Sequence, residues 1–256
     1  PQGDTIEAIY KAYLNDKTDD KNCIDPDRLW YAWKALEPFF GDMLPKEVDR
    51  KACRDYVDYR DGRSASTINK ELRLLRAALK FGKGDDAGGA VFEFQPEPEP
   101  RDRWLTQEEF QRLLDACKSP HLRMFCHLAI ATAARKSAIL ELTRLNVTFD
   151  EKGKGTIWLG KKANGKKRAT VPMTKRLRKE IETAMEANET EHLVEYAGGP
   201  VKDVKKSFNR AVKDAKIEDF TIHDLRHTVA VWMCAKGTEM SKISTYLGHT
   251  RIDITR

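Results

Sequence analysis

With 256 residues, 40% of them hydrophobic and 34% charged, the chain can bury two ordinary domain cores, which excludes a disordered chain and a small cross-linked scaffold. No apolar run approaches the ~20 residues that cross a bilayer, and no charged-then-apolar leader opens the chain. The formal net charge is +6, and five cysteines (Cys23, Cys53, Cys117, Cys126, Cys234) show neither a Cys-x-x-Cys pair nor ligand spacing with the six histidines, so we expect a reduced, cytoplasmic protein without structural zinc. The first residue is Pro1, and an upstream segment is expected to have been removed or left out.

From Asp4 to about Phe81 apolar residues recur at helical spacing. Asp25-Pro26 predicts a cap and first turn for a helix through Trp30, Trp33, Leu36 and Phe40, closed by Gly41. Pro45 is read as opening the next helix, through Val48, Cys53, Tyr56 and Val57, and Ser66-Thr67 as opening a fourth, with Ile68, Leu72, Leu75, Ala78 and Leu79 on one face. Residues 1–84 are therefore expected to form a small four-helix domain. Residues 85–103 read as a semi-rigid acidic linker, with Gly88-Gly89 and the alternation Pro96-Glu97-Pro98-Glu99-Pro100.

From 104 to 256 a larger domain is expected. Leu105-Thr106-Gln107-Glu108-Glu109 resembles a capping box opening a helix through Phe110, Leu113 and Leu114. A second helix covers Leu122 to Ala131, and a third follows Arg135 through Leu142. Thr156-Ile157-Trp158-Leu159 and Ala169-Thr170-Val171-Pro172, joined through Asn164-Gly165, predict a β-hairpin. Helical pattern resumes at Thr174 and continues with breaks near Gly198-Gly199-Pro200 and Asp219-Phe220. The fold class is mainly α, with a small antiparallel sheet in the second, α+β domain.

Charge is uneven. Residues 1–84 carry 16 bases and 15 acids, residues 85–102 one base and six acids, and residues 103–256 29 bases and 19 acids. The +10 of the last region favours a polyanionic partner. Within it, residues 152–179 hold eleven Lys or Arg and no acid. A solvated strand edge is the competing reading, but on this basic domain a phosphate backbone is the better match. Arg135 follows the small residues Ala133-Ala134, so backbone and guanidinium can approach a ligand closely. His223, Arg226 and His227 fall at i, i+3 and i+4 on one helix, and Leu247-Gly248-His249 reads as a helix C-cap followed by a histidine. Each is unremarkable alone. In this order on a basic domain they suggest a cationic pocket for one phosphate and its protons.

These residues resemble the tyrosine recombinases, or phage-type integrases: an arginine after a small-residue turn, a lysine in a β-hairpin, His223-Asp224-Leu225-Arg226-His227, and Leu247-Gly248-His249. Ser66-Thr67-Ile68-Asn69-Lys70-Glu71-Leu72 with Leu75-Arg76-Ala77-Ala78-Leu79 is similar to the last helix of the family's core-binding domain. The resemblance covers most of the chain. It implies a SAM-like core-binding domain over 1–84 and a catalytic domain over 104–256. It also implies a site-specific recombinase that cuts and rejoins double-stranded DNA at an attachment site through a 3′-phosphotyrosyl intermediate, for a phage or other mobile element. The covalent intermediate stores bond energy, so no cofactor is required. Arg135 and Arg226 would clamp the phosphate, His223 would act near the nucleophile as proton acceptor or hydrogen-bond donor, and His249 would donate to the phosphate. The hairpin lysine, Lys162 or its competitor Lys166, would protonate the departing 5′-oxygen.

Lys161, Lys167 and Arg168 in the hairpin and Lys70, Arg73, Arg76 and Lys80 in the first domain are candidate DNA contacts, the two domains closing around the duplex. A homotetramer on DNA, and a monomer off it, complete the expectation. Two departures stand out: Ala138 replaces the acidic residue found three positions after the arginine in many relatives, and the nucleophilic tyrosine, about nine residues after His249, falls near position 258, past Arg256. The polypeptide as given is expected to lack its own nucleophile, since Tyr246 precedes Leu-Gly-His and is expected to pack in the core. The alternatives are a DNA-binding module that occupies a recombination site without cutting, and a type IB topoisomerase-like enzyme. A metal-dependent nuclease is disfavoured by the lack of a compact Asp/Glu/His cluster.

Overall fold

The computed structural model describes residues 4–19, 25–99, 102–151, 155–160 and 170–248 of a chain that divides into two units, Pro1–Pro100 and Arg101–Arg256. In the first, α1 (Ile6–Asp19), α2 (Pro26–Phe40), α3 (Arg50–Tyr59) and α4 (Ala65–Lys83) surround one core. Three of their starts are capped by side chains: Asp25 accepts from the Arg28 amide, Asp49 from Ala52 and Ser64 from Thr67. Each cap satisfies an amide that the first helical turn leaves without a partner. Tyr10, Leu36, Phe40, Tyr56, Leu72, Leu75 and Leu79 are completely buried, and the Tyr10 ring stacks on Trp33 at 4.6 Å.

Two expectations are corrected here. Pro45 opens only a 3-10 turn, Pro45–Glu47, after which Val48 leaves the helical region; α3 begins later because Asp49 offers its carboxylate to the Ala52 amide at 2.7 Å. Much of the stretch read as linker is folded onto the first unit. Ala87 is buried, and Ala90, Phe92 and Phe94 pack against the helical core. The Val91 amide donates to the Val48 carbonyl at 2.7 Å. The Asn69 side-chain amide donates to the Gln95 carbonyl and accepts from the Gln95 amide, both at 2.8 Å, as a neighbouring strand would. Arg54 pairs with Glu93 at 2.7 Å and Arg73 with Glu97 at 3.0 Å. The small and aromatic side chains between the glycines and prolines supply the burial that composition alone obscures.

The second unit opens with α5 (Gln107–Ala116), whose Thr106–Glu109 capping box is present as expected, then α6 (Pro120–Thr132) and the short α7 (Lys136–Leu140). Three strands follow, β1 (Val147–Phe149), β2 (Gly155–Trp158) and β3 (Thr170–Met173), antiparallel in the order β1-β2-β3. Ile157 stands opposite both Val147 and Val171, and the two-residue alternation sends Ile157 and Val171 into the core while Thr156 and Trp158 face out. The sequence reading lacked β1, which is only three residues long. The Asn164-Gly165 turn lies outside the described residues.

Beyond the sheet come α8 (Lys175–Ala187), the two-residue strands β4 (Glu195–Tyr196) and β5 (Gly199–Pro200), α9 (Lys205–Asp214), α10 (Ile222–Ala235) and α11 (Met240–Leu247). The break at Gly198-Gly199-Pro200 is thus a small hairpin. Among the described residues no helix is long and apolar enough to cross a membrane.

One buried hydroxyl ties α10 to the start of the unit. Thr228, wholly buried, donates to the Asp224 carbonyl at 2.7 Å and accepts from the Leu105 amide at 3.0 Å, while the Trp232 indole donates to the Leu105 carbonyl at 2.8 Å. Thr228→Val keeps the shape and removes the acceptor, leaving the Leu105 amide without a partner. We expect a loss of about 1–3 kcal/mol in urea unfolding with an unchanged slope. A shift below about 0.5 kcal/mol would show that the hydroxyl is dispensable.

Candidate phosphate-binding site

Arg226 is the centre of the site. The start of α10 is fixed by Asp224, whose carboxylate accepts both the Thr221 amide (2.7 Å) and the Thr221 hydroxyl (2.9 Å). One turn in, the Arg226 side chain points inward and is only 8% exposed. Its guanidinium donates to the Ala133 carbonyl at 2.7 Å and to the Leu247 carbonyl. Those carbonyls stand at the C-terminal ends of α6 and α11, where helix dipoles place partial negative charge. Three helix ends therefore meet at one cation, and the small apolar cluster of Ala133, Val229, Ile243 and Leu247 packs beneath them. Neutral carbonyls hold the guanidinium without cancelling its charge, which leaves it available to an anion. Burial, and then the nearby Arg135, hold its pKa down at about 10, so it stays cationic at neutral pH.

Arg135 reaches the site through a left-handed residue. Ala133 has φ +49°, a conformation costly for a residue with a Cβ, and it follows the end of α6. Its amide still donates to the Ala129 carbonyl, and the Thr132 hydroxyl accepts from the Ala134 amide at 3.2 Å. The turn aims the Ala133 carbonyl at Arg226 and sets Arg135 at the exposed start of α7. Among the described residues no carboxylate pairs with Arg135. Ala138, three positions on, is buried.

Arg135, His223 and Arg226 come together around a cleft of about 370 Å³ lined also by Ala134, Lys136, Lys205, Asn209, Thr221 and Ile222. Its lining holds four lysines or arginines and no carboxylate. Arg135 and His223, unremarkable alone in the sequence, thus line the same cleft. His227 is not part of this lining: its Nε2 lies 3.1 Å from Asp102 Oδ1, so the face shared by 223, 226 and 227 in the sequence is split in space. The Tyr246 hydroxyl donates to the Ala131 carbonyl and its ring packs partly buried against both neighbouring apolar clusters, as expected of a structural aromatic. Burial pushes its pKa up to about 12.

Lys205 and Asn209 were missed, because two polar residues near the start of an amphipathic helix look like any solvated face. Lys161, Lys162, Lys166, Lys167, Arg168 and His249 lie outside the described residues. On the first unit Lys70, Arg73, Arg76 and Lys80 are all exposed on α4, with Arg73 held by Glu97 and Lys80 3.8 Å from Asp85. Among the described residues no three His, Cys, Asp or Glu side chains are placed to hold a metal.

Comparison with known proteins gives this arrangement its relatives. The integrase of Salmonella phage P22 is 29% identical over 196 residues, covering 72% of this chain and 50% of the relative, so the chain spans about half of that protein's length. Tyrosine recombinase XerA of Thermococcus kodakarensis is 28% identical over 209 residues, covering 77% of this chain and 71% of that protein. The solved structure of the Tn1549 transposon integrase (residues 82–397) with circular intermediate DNA has the same fold, with a TM-score of 0.79 at 18% identity over 99% of this chain and 94% of that one. A lambda integrase dimer bound to a COC′ core site superposes with a TM-score of 0.80 at 16% identity, covering 98% of this chain and 76% of that one. The phage integrase family model matches residues 103–256, the span that contains Arg135, His223, Arg226 and His249, and the chain belongs to that family.

Proposed function

We propose that the chain is the DNA-cleaving and rejoining part of a site-specific tyrosine recombinase that integrates or excises a mobile element. The observation that carries the reading is the cleft shared by Arg135, Arg226 and His223, with four cations and no carboxylate in its lining. A phosphodiester seated there places its non-bridging oxygens between two guanidiniums, and the negative charge that builds up during displacement meets groups already in position. Arg226 is fixed by two carbonyls and reorganises little, while Arg135 is exposed and closes on the phosphate from solvent. His223, exposed in the same lining, would act near the attacking hydroxyl as proton acceptor or hydrogen-bond donor.

A tyrosine oxygen would attack the phosphorus, form a 3′-phosphotyrosyl bond and release a 5′-hydroxyl. Lys162 or Lys166 would supply that oxygen's proton, and His249 would donate to the phosphate. Rejoining reverses the steps with the hydroxyl of a second strand, so no cofactor is consumed. Lys70, Arg73, Arg76 and Lys80 of the helical unit, with Lys161, Lys167 and Arg168, would contact backbone phosphates and supply affinity rather than sequence. Assembly on DNA as a tetramer, in the cytoplasm where the DNA lies, belongs to the same reading.

The test is to incubate the full-length protein with supercoiled plasmid that carries the element's attachment site and stop the reaction with detergent. The expected product is protein linked to a DNA 3′ end through tyrosine, with 5′ ends that accept a label from polynucleotide kinase without prior phosphatase. Tight DNA binding without any covalent product would favour the binding module instead.

A further inference from the structure

Two groups in the cleft are not needed to hold one phosphate. A phosphodiester carries a single negative charge, and Arg135 and Arg226 already supply two guanidiniums for it. Lys136 is turned elsewhere: its ammonium lies 2.8 Å from Asp203 Oδ1. The same Asp203 oxygen accepts the Lys205 backbone amide at 3.2 Å, so one carboxylate pins the start of α9 to the turn that carries Arg135. This neutralises Lys136 and leaves the Lys205 ammonium with no ion-pair partner among the described residues. Asn209 stands four residues on, one helical turn along the same face, also exposed and also lining the cleft. The cleft thus has a second wall, one cation and one neutral donor, in addition to the pair of arginines.

Along a DNA strand the phosphates follow one another at regular spacing, each with one charge. We infer that Lys205 and Asn209 bind the backbone phosphate next to the reacting one, Lys205 by charge and Asn209 through its side-chain amide. This rests on the reading of the arginine cleft as the site of the reacting phosphate. Two adjacent phosphates held on separate walls fix which phosphodiester lies under the arginines, so α9 sets the register of the strand. Asp203 is the positioning residue for that wall.

Two ligands separate one phosphate from two: inorganic phosphate, followed at the arginine side-chain N–H signals by NMR, and a 30-base-pair duplex, followed by fluorescence anisotropy from low to moderate salt. Lys205→Ala is expected to weaken duplex binding about 3- to 10-fold and to make the salt dependence shallower by about one unit of slope. Its affinity for inorganic phosphate should stay within about twofold of the parent, because long-range attraction by one exposed lysine is weak. Lys205→Arg should restore duplex binding, and Asn209→Ala should weaken it without changing the slope. The inference is overturned if Lys205→Ala leaves duplex affinity and slope unchanged, or if it weakens inorganic phosphate as much as the duplex, which would put the lysine on the first phosphate. Arg135→Ala, an exposed change, is the control for the underlying reading and should lose inorganic phosphate. If it does not, that reading fails whatever Lys205 does.

Discussion

Arg226→Ala is expected to abolish strand cleavage, by about a hundred- to a thousandfold or more, while duplex affinity stays within a few-fold of the parent. The asymmetry follows from position. Arg226 is one phosphate contact among many for binding, but it is the buried arm of the clamp for the charge that appears in the transition state. The same substitution should destabilise the second unit by about 2–4 kcal/mol, because the Ala133 and Leu247 carbonyls lose a charged donor at the meeting point of α6, α10 and α11. Arg226→Lys separates the two roles. A single ammonium cannot span two carbonyls and a phosphate as a planar guanidinium does. It also starts from a pKa of ~10.4, and the burial and Arg135 that hold Arg226 at about 10 would push it lower still. A cation with a depressed pKa loses its charge as pH rises, so any residual activity of the lysine variant should fall steeply above about pH 8 while the parent holds level. Normal cleavage by the alanine variant of the full-length protein, or an unchanged unfolding midpoint, would remove Arg226 from the centre of the site.

Local chemistry was legible in the sequence. The Asp25-Pro26 start of α2, the Thr106–Glu109 box of α5 and the Gly248 C-cap of α11 are each written within four or five residues, and they stand as read. The strand pair Gly155–Trp158 and Thr170–Met173 was visible because alternation and β-branched residues are likewise local. What was hidden depends on tertiary partners. The start of α3 is an exception: Asp49 caps an amide only three residues on, a local signal that Pro45 overshadowed. Nothing in the glycine- and proline-rich stretch says that Asn69, a helical residue, will act as a strand partner for Gln95.

The site divides in the same way. Arg135, His223 and Arg226 could be found from their types and order. The two carbonyls that hold Arg226, and the α9 wall with Lys205, come from helix ends that meet only in the folded chain. Ala138 left the support of the first arginine open, and the structure answers in part: the carboxylate beside that turn is Asp203, sixty-seven residues from Lys136 in sequence, and it binds Lys136 rather than Arg135.

Glu71→Ala is expected to unfold the helical unit, or to cost it about 3 kcal/mol, although Glu71 lies on the inner side of α4 and touches no proposed ligand. The residue is 7% exposed, and its carboxylate accepts the Tyr56 hydroxyl at 2.7 Å and two Arg60 nitrogens at 2.7 and 3.1 Å. Removing it strands a buried phenol and a guanidinium that is only one-fifth exposed. Breaking a buried pair in this way typically costs 3–5 kcal/mol, and the partial exposure of Arg60 sets the lower end here. Burial, the first cause of the raised Tyr56 pKa, persists in the variant and opposes ionisation of the phenol beside Arg60. Glu71→Gln, which keeps the volume and one acceptor, should lose about half as much in urea unfolding. The consequence reaches DNA. Lys70, Arg73, Arg76 and Lys80 project from the same helix, and the links from Glu71 to Tyr56 of α3 and to Arg60 help to hold that helix in place. Duplex affinity should therefore fall in Glu71→Ala in parallel with helix content, with no proposed contact removed, and a variant that keeps both its unfolding midpoint and its affinity would show that the network does not hold this face in place.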